Sequence, residues 1–261
     1  MTKTPATDTP VLVTGGTGTL GRQVVPLLRA AGRTVRVLSR HDREATDGVS
    51  HVRCDLLGDG AGLDEALAGV ETVLHLAGSN KGDDVATRTL VAAARRAGVK
   101  HLVYISVIGA DKLPIGYFRA KAAAEEAVVA SGLPYTILRA AQFHDLAFTV
   151  IEKMARLPLV PNPGGIRWQP VDVREVAGRL VELALDEPAG QVPDLAGPTV
   201  YAMGELTRGY LKARGRTRPQ LPVRVPGKVG RAYRAGDNLT LIGAEFGRRT
   251  WEDYLAERLA S

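Results

Sequence analysis

The amino-acid sequence predicts an α/β fold built on a doubly wound parallel sheet. In roughly the first half of the chain, short apolar runs alternate six times with segments of helical periodicity. Parallel strands need long crossovers, and a helix is the usual crossover, so this alternation indicates repeated strand–helix units. The 261 residues, of which 45% are hydrophobic and 24% charged, are enough to bury a full core.

Each element of the first half has a local signal of its own. The strands are short runs of aliphatic and β-branched residues, and three of the helices stop at a glycine. The predicted strands cover 10–14, 34–39, 51–54, 72–77, 101–107 and 135–139, and the predicted helices cover 20–31, 63–67, 86–97 and 116–131.

The pattern loosens after the sixth strand. A helix is predicted over 172–185, with Asp172 or the preceding turn as its cap, and a strand over 191–195 is expected to return to the sheet. Residues 203–261 are predicted to form helices and loops rich in proline and glycine. The same two residue types punctuate 158–165, which predicts a hinge there.

These signals divide the chain into a core and a smaller region. We expect the core over 8–157, with 170–196 returning to it. The remainder of 158–261 is expected to form a small cap over the place where a substrate binds.

Cysteine and histidine usage excludes several kinds of site. Cys54 is the only cysteine, so neither an intrachain disulfide nor a cysteine-based zinc site can form within the chain. The five histidines show no paired metal-ligand spacing, so we expect no metal. Residues 1–9 are polar, and no apolar run approaches the roughly 18 residues that a membrane helix needs. We therefore expect a cytoplasmic protein without a membrane partner.

The positive charge is concentrated in one segment. The chain carries a formal charge of +6, yet residues 206–234 hold nine of the 34 Lys and Arg residues and no Asp or Glu. The 25 basic residues elsewhere are outnumbered by 28 acidic ones. This segment has two tyrosines as its only aromatic residues and matches no nucleic-acid module, so we expect no nucleic-acid partner. It is interpreted as a solvated face or as groups that face an acidic substrate or partner chain.

A glycine-rich loop directly follows the first strand and opens the first helix. Residues 14–22 read Thr-Gly-Gly-Thr-Gly-Thr-Leu-Gly-Arg, with the spacing GxxGxxG. The first glycine allows a tight turn, the second lets the backbone approach a pyrophosphate, and the third lets the helix pack close to the strand. Phosphates then meet the N–H groups at the helix N-terminus. This favours a Rossmann-like dinucleotide site over a plain turn, and its predicted contacts are Gly15, Thr17, Gly18, Thr19, Leu20 and Gly21.

The end of the second strand indicates which dinucleotide is bound. A site for NAD(H) usually has Asp or Glu here, which accepts hydrogen bonds from the ribose 2′-hydroxyl. This chain has Arg40, and a guanidinium binds a 2′-phosphate with charge-assisted bonds. We therefore expect NADP(H) to be favoured over NAD(H). The alternatives are that Arg40 is simply solvated, or that the strand ends later and Asp42 takes the acidic role.

Three residues form a candidate catalytic group. Tyr117 and Lys121 are four residues apart on a predicted helix, and Ser106 lies near the end of the preceding strand. Reduction of a carbonyl leaves negative charge on its oxygen, which must then be protonated. A tyrosine with an ordinary pKa of about 10 becomes a better proton donor when an ammonium lies one helical turn away. Lys121 could also bind the ribose of the cofactor, and Ser106 could orient the substrate oxygen.

Each of these three residues also has a purely structural interpretation. Tyr117 could be a half-buried aromatic residue, Lys121 a solvated helix lysine, and Ser106 a hydroxyl that bonds to the backbone at a strand end. The Tyr-x-x-x-Lys spacing is weak evidence by itself, and its position after the fifth strand is what favours catalysis.

The motif TGGTGTLGR resembles that of the short-chain dehydrogenase/reductase superfamily, in its extended and atypical branches. The segment 250–254 (TWEDY) fits the C-terminal helix of NmrA-like NAD(P)H-binding reductases, and the similarity covers nearly the whole chain. The resemblance implies that an Asp after the third strand meets adenine, that small residues after the fourth let the adenosine lie flat, and that the segment after the sixth lines the nicotinamide. The residues implied are Asp55, Leu56, Ala77, Gly78, Ala141, Gln142 and Phe143.

The sequence thus predicts an NADP(H)-dependent oxidoreductase that transfers hydride to a carbonyl or quinone of a small organic substrate. The expected form is a monomer or a homodimer. Two alternatives stay open at this point. One is a non-catalytic NmrA-like sensor that binds NADP, and the other is a nucleotide-sugar epimerase or dehydratase.

Overall fold

The structure is a computed structural model that describes residues 9–46, 48–78 and 82–260. The polar residues 1–8, and with them the start of the predicted core at residue 8, lie outside the described residues. The strands are β1 Val11–Thr14, β2 Val35–Ser39, β3 Val49–Arg53, β4 Thr72–His75, β5 His101–Val107, β6 Tyr135–Ala140, β7 Val160–Pro163, β8 Arg167–Trp168, β9 Gly190–Gln191, β10 Leu195–Ala196, β11 Tyr201–Ala202, β12 Gln220–Val223 and β13 Glu245–Phe246. The helices are α1 Gly21–Ala30, α2 Leu63–Leu67, α3 Asp83–Arg96, α4 Gly116–Ala130, α5 His144–Met154, α6 Val173–Leu185, α7 Met203–Ala213, α8 Gly227–Ala235 and α9 Trp251–Ala260.

The main sheet is parallel and has nine strands among the residues that the structure describes. Its order is β13-β10-β6-β5-β4-β1-β2-β3, and β9 pairs with β6. The register places Val11 beside Val35 on one side and beside Thr72 on the other. The chain therefore reverses its direction of winding between β1 and β4, which is where open α/β sheets bind ligands. The predicted α/β, Rossmann-like fold is confirmed.

The described chain divides into two compact units. The first contains the residues up to Ser106, together with Ala120–Leu138 and Val176–Val192. The second contains Val107–Arg119, Arg139–Glu175 and the residues from Pro193 onward. The predicted substrate cap over 158–261 stays a prediction.

In the first unit, the sheet is buried on both faces because helices cover it on each side. All four residues of β1 are buried, and so is every residue of β5. One face packs against α2, α3 and part of α4 through Leu67, Leu90 and Val128. This burial explains why these strands show as continuous apolar runs in the sequence and why their bounds could be predicted to within three residues.

In the second unit, α5, α7 and α9 share an aromatic core. Trp251 is fully buried, stacks on Tyr254 with ring centroids 5.6 Å apart, and donates a hydrogen bond to the Leu206 carbonyl at 3.0 Å. Phe148 of α5 and Tyr210 of α7 meet edge to face at 5.4 Å. The predicted cap of α6 is also present, since Asp172 accepts a hydrogen bond from the Arg174 N–H at 2.9 Å.

Several elements differ from the sequence prediction. The segment 158–165 contains β7, which pairs with β12. Its prolines are tolerated because both strands of a two-stranded sheet are edge strands. The predicted strand over 191–195 is instead two short strands, β9 and β10, separated by three residues. Helix α5 was not predicted, although Ala147, Phe148 and Ile151 bury one face of it. No helix in the described part of the chain combines the length and the apolar character needed to cross a membrane.

Candidate functional site

A cavity of about 300 Å³ opens at the carboxyl ends of β1, β2, β3 and β4. It belongs to the first unit and lies where the strand order reverses. Eight of the predicted cofactor-binding residues line it: Gly15, Thr17, Gly18, Arg40, Asp55, Leu56, Ala77 and Gly78. Eight further residues that the sequence did not indicate also line it: Thr14, Leu38, Ser39, Cys54, Leu57, Leu76, Asp83 and Ala86.

The loop between β1 and α1 requires glycine at positions 15 and 21 and is closely packed at position 18. Gly15 has φ of +69°, and a Cβ there would lie 2.7 Å from the Ala77 nitrogen. A Cβ on Gly18 would lie 3.3 Å from the Gly15 carbonyl oxygen, and one on Gly21 would overlap that oxygen and the backbone of Gly16. Leu20 provides no side-chain cap for α1. The result is a bare backbone cradle at a helix N-terminus, which fits the pyrophosphate of a dinucleotide.

The second strand ends where the sequence predicted. Strand β2 stops at Ser39, and Arg40 is exposed at the rim of the cavity. Among the described residues, no carboxylate pairs with Arg40. Asp42 instead bonds Arg53 at 3.1 Å, with both side chains exposed, and does not line the cavity. Asp42, the acidic alternative to Arg40, therefore pairs with Arg53 instead of lining the cavity.

Asp55 fixes a turn and also lines the cavity. Its Oδ1 accepts a hydrogen bond from the Leu57 N–H at 3.0 Å, which fixes the turn after β3. Because it also lines the cavity, a second carboxylate oxygen can meet a ligand.

A buried charge pair lies beside Gly78. The Lys121 Nζ is 3.0 Å from the Asp83 Oδ2, and the two side chains are 5% and 2% exposed. The same ammonium donates to the Tyr104 hydroxyl at 3.2 Å and to the Ile105 carbonyl at 3.1 Å, and Tyr104 in turn donates to Asp83 at 3.0 Å. An ion pair and two hydrogen bonds within the protein therefore hold this ammonium. Asp83 is a functional candidate that the sequence analysis missed, because its partners lie far away along the chain.

A buried histidine supports the floor of the cavity. His75 Nδ1 is 2.6 Å from the Thr14 hydroxyl and its Nε2 is 3.0 Å from the Thr87 hydroxyl. Thr87 donates its own proton to the Asp83 carbonyl, so Nε2 of His75 must donate to Thr87 and Nδ1 must accept from Thr14. Burial lowers the pKa of His75 to about 4, which keeps this ring neutral. Thr14 then accepts from the Ala77 N–H at 3.1 Å, which joins the ends of β1 and β4.

The three predicted catalytic residues occupy different surroundings. Ser106 is buried near the end of β5, and its Oγ has no hydrogen-bond partner within the described residues. Tyr117 is half-buried in the first turn of α4, with its ring edge-on to Phe118 at 5.4 Å. Lys121 follows on the same helix and is buried in the charge pair described above. Ser106 and Lys121 belong to the first unit and Tyr117 to the second.

The remaining predicted contacts do not line the cavity. Leu20 is buried and Thr19 is exposed in the glycine loop. Ala141, Gln142 and Phe143 lie between β6 and α5 in the second unit, and they are tied down by backbone bonds from Ala141 to Leu195 and between Gln142 and Val171.

His144 follows this segment and is fully buried beside the stacked rings of Trp251 and Tyr254, whose centroids lie 6.0 and 5.2 Å from its own. Neither of its ring nitrogens has a hydrogen-bond partner among the described residues. Burial lowers the pKa of His144 to about 4. The ring therefore packs as a neutral aromatic group.

The cavity at the reversal of strand order, the glycine loop that lines it and the N-terminus of α1, which has no side-chain cap, are together typical of a dinucleotide-binding Rossmann protein. The chain belongs to the NAD(P)H-binding family, whose model matches residues 15–184. The resemblance to atypical short-chain dehydrogenase/reductases of the NmrA-like group is confirmed by its relatives.

Two curated relatives are reductases. The chain is 38% identical over 219 residues to (4-alkanoyl-5-oxo-2,5-dihydrofuran-3-yl)methyl phosphate reductase of Streptomyces griseus, covering 79% of this chain and 74% of that protein. It is 28% identical over 217 residues to quinone oxidoreductase 2 of Escherichia coli, covering 79% and 75%. The crystal structure of an NADPH-dependent quinone oxidoreductase from Escherichia coli, complexed with NADPH, matches with a TM-score of 0.81 at 20% identity, over 95% of this chain and 99% of that one. The last comparison shows the shared fold.

Proposed function

We propose that this protein is an NADP(H)-dependent reductase that transfers hydride to a carbonyl or quinone of a small organic substrate. The observation that carries the proposal is the cavity at the reversal of strand order, which the glycine loop and Arg40 both line. Membership of the NAD(P)H-binding family and the two reductase relatives support it. The carbonyl reduction is taken from the chemistry expected of the Tyr117–Lys121 pair, and the quinone class is taken from the family resemblance.

The groups that would hold the cofactor follow from the cavity. The backbone of Gly15, Thr17 and Gly18 would bind the pyrophosphate, and Arg40 would pair with the 2′-phosphate. Asp55 would accept a hydrogen bond from the adenine amino group, while Ala77 leaves room for the adenosine. We further propose that the segment Ala141, Gln142 and Phe143 lines the nicotinamide, as the family resemblance implies.

The proposed chemistry is a two-electron reduction. NADPH, when bound, supplies a hydride to the carbonyl carbon. The π bond of the carbonyl then breaks and its electron pair moves to oxygen, which takes the proton of the Tyr117 hydroxyl. Lys121 contributes a fixed positive charge that favours the resulting phenolate, and Ser106 contributes a hydroxyl donor with no partner of its own within the described residues.

Cofactor binding is the first test. Thermal shift should show stabilisation of the protein by NADPH and a smaller effect of NADH at the same concentration, because binding to the folded state raises the melting temperature. No stabilisation by either cofactor would refute the dinucleotide site.

Activity is the second test. NADPH oxidation should be measured with a panel of quinones and ketones for the wild type and Tyr117→Phe. General acid catalysis is worth about 10²–10⁴-fold, so the variant should lose at least tenfold in kcat. Tyr135→Phe, which removes a phenol at the amino end of β6, is the matched control and should retain activity. An unchanged rate in Tyr117→Phe would refute its role as acid, and tight NADPH binding without turnover of any substrate would indicate a binding protein instead.

A further inference from the structure

The two-stranded ribbon formed by β7 and β12 has one inward and one outward face. Its register pairs Val160 with Gln220, and paired residues in a sheet project to the same side. Val160 is fully buried and the Gln220 side chain donates to the Gly204 carbonyl of α7 at 3.2 Å, so this side faces inward. The next residues along each strand face outward. They are Leu159, Pro161, Pro163, Pro219, Leu221 and Val223.

All six outward residues are apolar, and we call them the ribbon face. Leu159, Leu221 and Val223 are 42%, 47% and 39% exposed and Pro219 is exposed as well, whereas Pro161 and Pro163 are half-buried. Isolated exposed aliphatic residues are ordinary on a protein surface, but a contiguous set that fills one face of a ribbon marks an interaction site.

An arginine-lined cavity lies at the start of the ribbon. Its volume is about 240 Å³, and Arg156, Arg214 and Arg216 line it together with Glu152, Ala155 and Tyr210. Arg156 lies four residues before β7 and Arg216 lies four residues before β12, so the cavity is near the amino ends of both parallel strands. Glu152 pairs with Arg214 at 3.4 Å and with Arg156 at 4.0 Å. One carboxylate against three guanidinium groups leaves an excess of positive charge suited to an anion.

Basic residues also follow the ribbon at its far end. Arg224 comes directly after β12 and Lys228 lies in the first turn of α8, and both are exposed. The whole segment 206–234 contains no acidic residue. The ribbon face is thus an aliphatic patch with cationic groups before and after it along the strands.

We infer that the ribbon face and its arginine cavity dock onto the surface of an anionic phospholipid bilayer. Aliphatic side chains can enter the boundary between headgroups and acyl chains, while guanidinium groups bind lipid phosphates. Each basic residue near an anionic membrane strengthens binding by a factor of about five. The proposal does not depend on the proposed reductase activity.

Two other occupants fit the surface less well. In a symmetric dimer the same patch would meet itself, which would bring its cationic groups together. A protein partner that adds a strand would find four prolines in the ribbon, at 161, 163, 219 and 222, which lack N–H donors. Stable protein interfaces also use about 20–30 residues on each side, far more than the six of the ribbon face.

The sequence analysis predicted no membrane partner, because the signal that it used was a long apolar run. The apolar residues of the ribbon face alternate with others in two segments more than 50 residues apart. Only the strand register brings them to one side.

Vesicle binding tests the inference. The wild type should co-sediment with vesicles of phosphatidylcholine mixed with phosphatidylglycerol and at least tenfold less with phosphatidylcholine alone, and added salt should weaken the binding. Leu221→Ser combined with Val223→Ser, and separately Arg156→Gln combined with Arg216→Gln, should each weaken it about tenfold or more.

Matched controls alter the same residue types elsewhere on the surface. Leu27→Ser with Val129→Ser removes two aliphatic residues that are 39% and 53% exposed, and Arg95→Gln with Lys112→Gln removes two exposed charges. Both control pairs should bind vesicles as the wild type does. Melting temperature checks the fold of every variant.

Several results would overturn the inference. Equal binding to both vesicle types, or equal loss in target and control variants, would remove the lipid specificity. A wild-type dimer that Leu221→Ser with Val223→Ser converts to monomer would assign the ribbon face to a second copy. Binding to polyglutamate that matches vesicle binding and ignores the aliphatic substitutions would assign the surface to an acidic polymer.

Discussion

Replacing Asp83 by Asn should destabilise the protein by about 3–5 kcal/mol, because it leaves the Lys121 ammonium buried without a counter-charge. The two charged atoms are 3.0 Å apart and the side chains are 2% and 5% exposed. At an effective dielectric constant of about 20, their attraction is about 5 kcal/mol. The amide of Asn keeps the shape and can still accept from Tyr104, so the loss comes mainly from the missing charge.

Urea unfolding of a set of variants measures this effect. The matched control is Asp84→Asn, since Asp84 is the next residue in α3 and pairs with Arg88 at 2.5 Å in an exposed position. Such pairs contribute about 0–1 kcal/mol, so the control should change little. Asp83→Asn combined with Lys121→Met removes both charges and should cost several kcal/mol less than the two single changes added together. The reasoning fails if Asp83→Asn costs no more than Asp84→Asn, or if the two single effects simply add.

Three further predictions concern the cofactor site, the glycine loop and the buried histidines. Arg40→Asp should weaken NADPH binding by about 10–100-fold, because charge-assisted bonds to the 2′-phosphate are lost, and should leave the affinity for NADH nearly unchanged in fluorescence titration. An unaltered ratio of the two affinities would show that Arg40 does not bind the cofactor. Gly21→Ala should lower the free energy of unfolding by about 1–3 kcal/mol because its Cβ overlaps the loop backbone, whereas Gly178→Ala, with nothing within 4 Å, should cause no loss; similar results for both would show that the loop can relax. His75 and His144 have pKa values lowered to about 4 by burial, so they stay neutral in the folded chain while the unfolded chain takes up protons below about pH 6.5. Stability should therefore be full above about pH 6.5 and fall by about 3 kcal/mol per histidine as the pH drops to about 4. His144→Phe should remove about half of this decline in urea unfolding at several pH values, and an undiminished slope would contradict the assignment.

The parts of the fold that could be predicted are those in which one segment determines its own burial. Strand β5 was predicted with the bounds that it has, because a strand buried on both faces is apolar at every position. The glycine loop was predicted for a similar reason, since its backbone geometry admits few other residues. Strand β7 was missed because prolines in a short segment suggest a loop, and its pairing with β12 lies about 60 residues away.

In the candidate site, too, the residues with a local sequence signal could be predicted, and those that depend on tertiary contacts could not. The residues that follow strands β1 to β4 could be predicted because the carboxyl ends of parallel strands meet at one edge of the sheet. The pairing of Asp83 with Lys121 could not, because it joins residues 38 positions apart that carry no shared pattern. The hydrogen bonds of His75 to Thr14 and Thr87 depend on the tertiary arrangement and have no sequence signal.

Contacts within the protein hold the Lys121 ammonium in place. Because its ammonium is paired with Asp83 and donates to Tyr104 and to the Ile105 carbonyl, its positive charge is held in place before a ligand arrives. A preset field of this kind needs no rearrangement during a turnover.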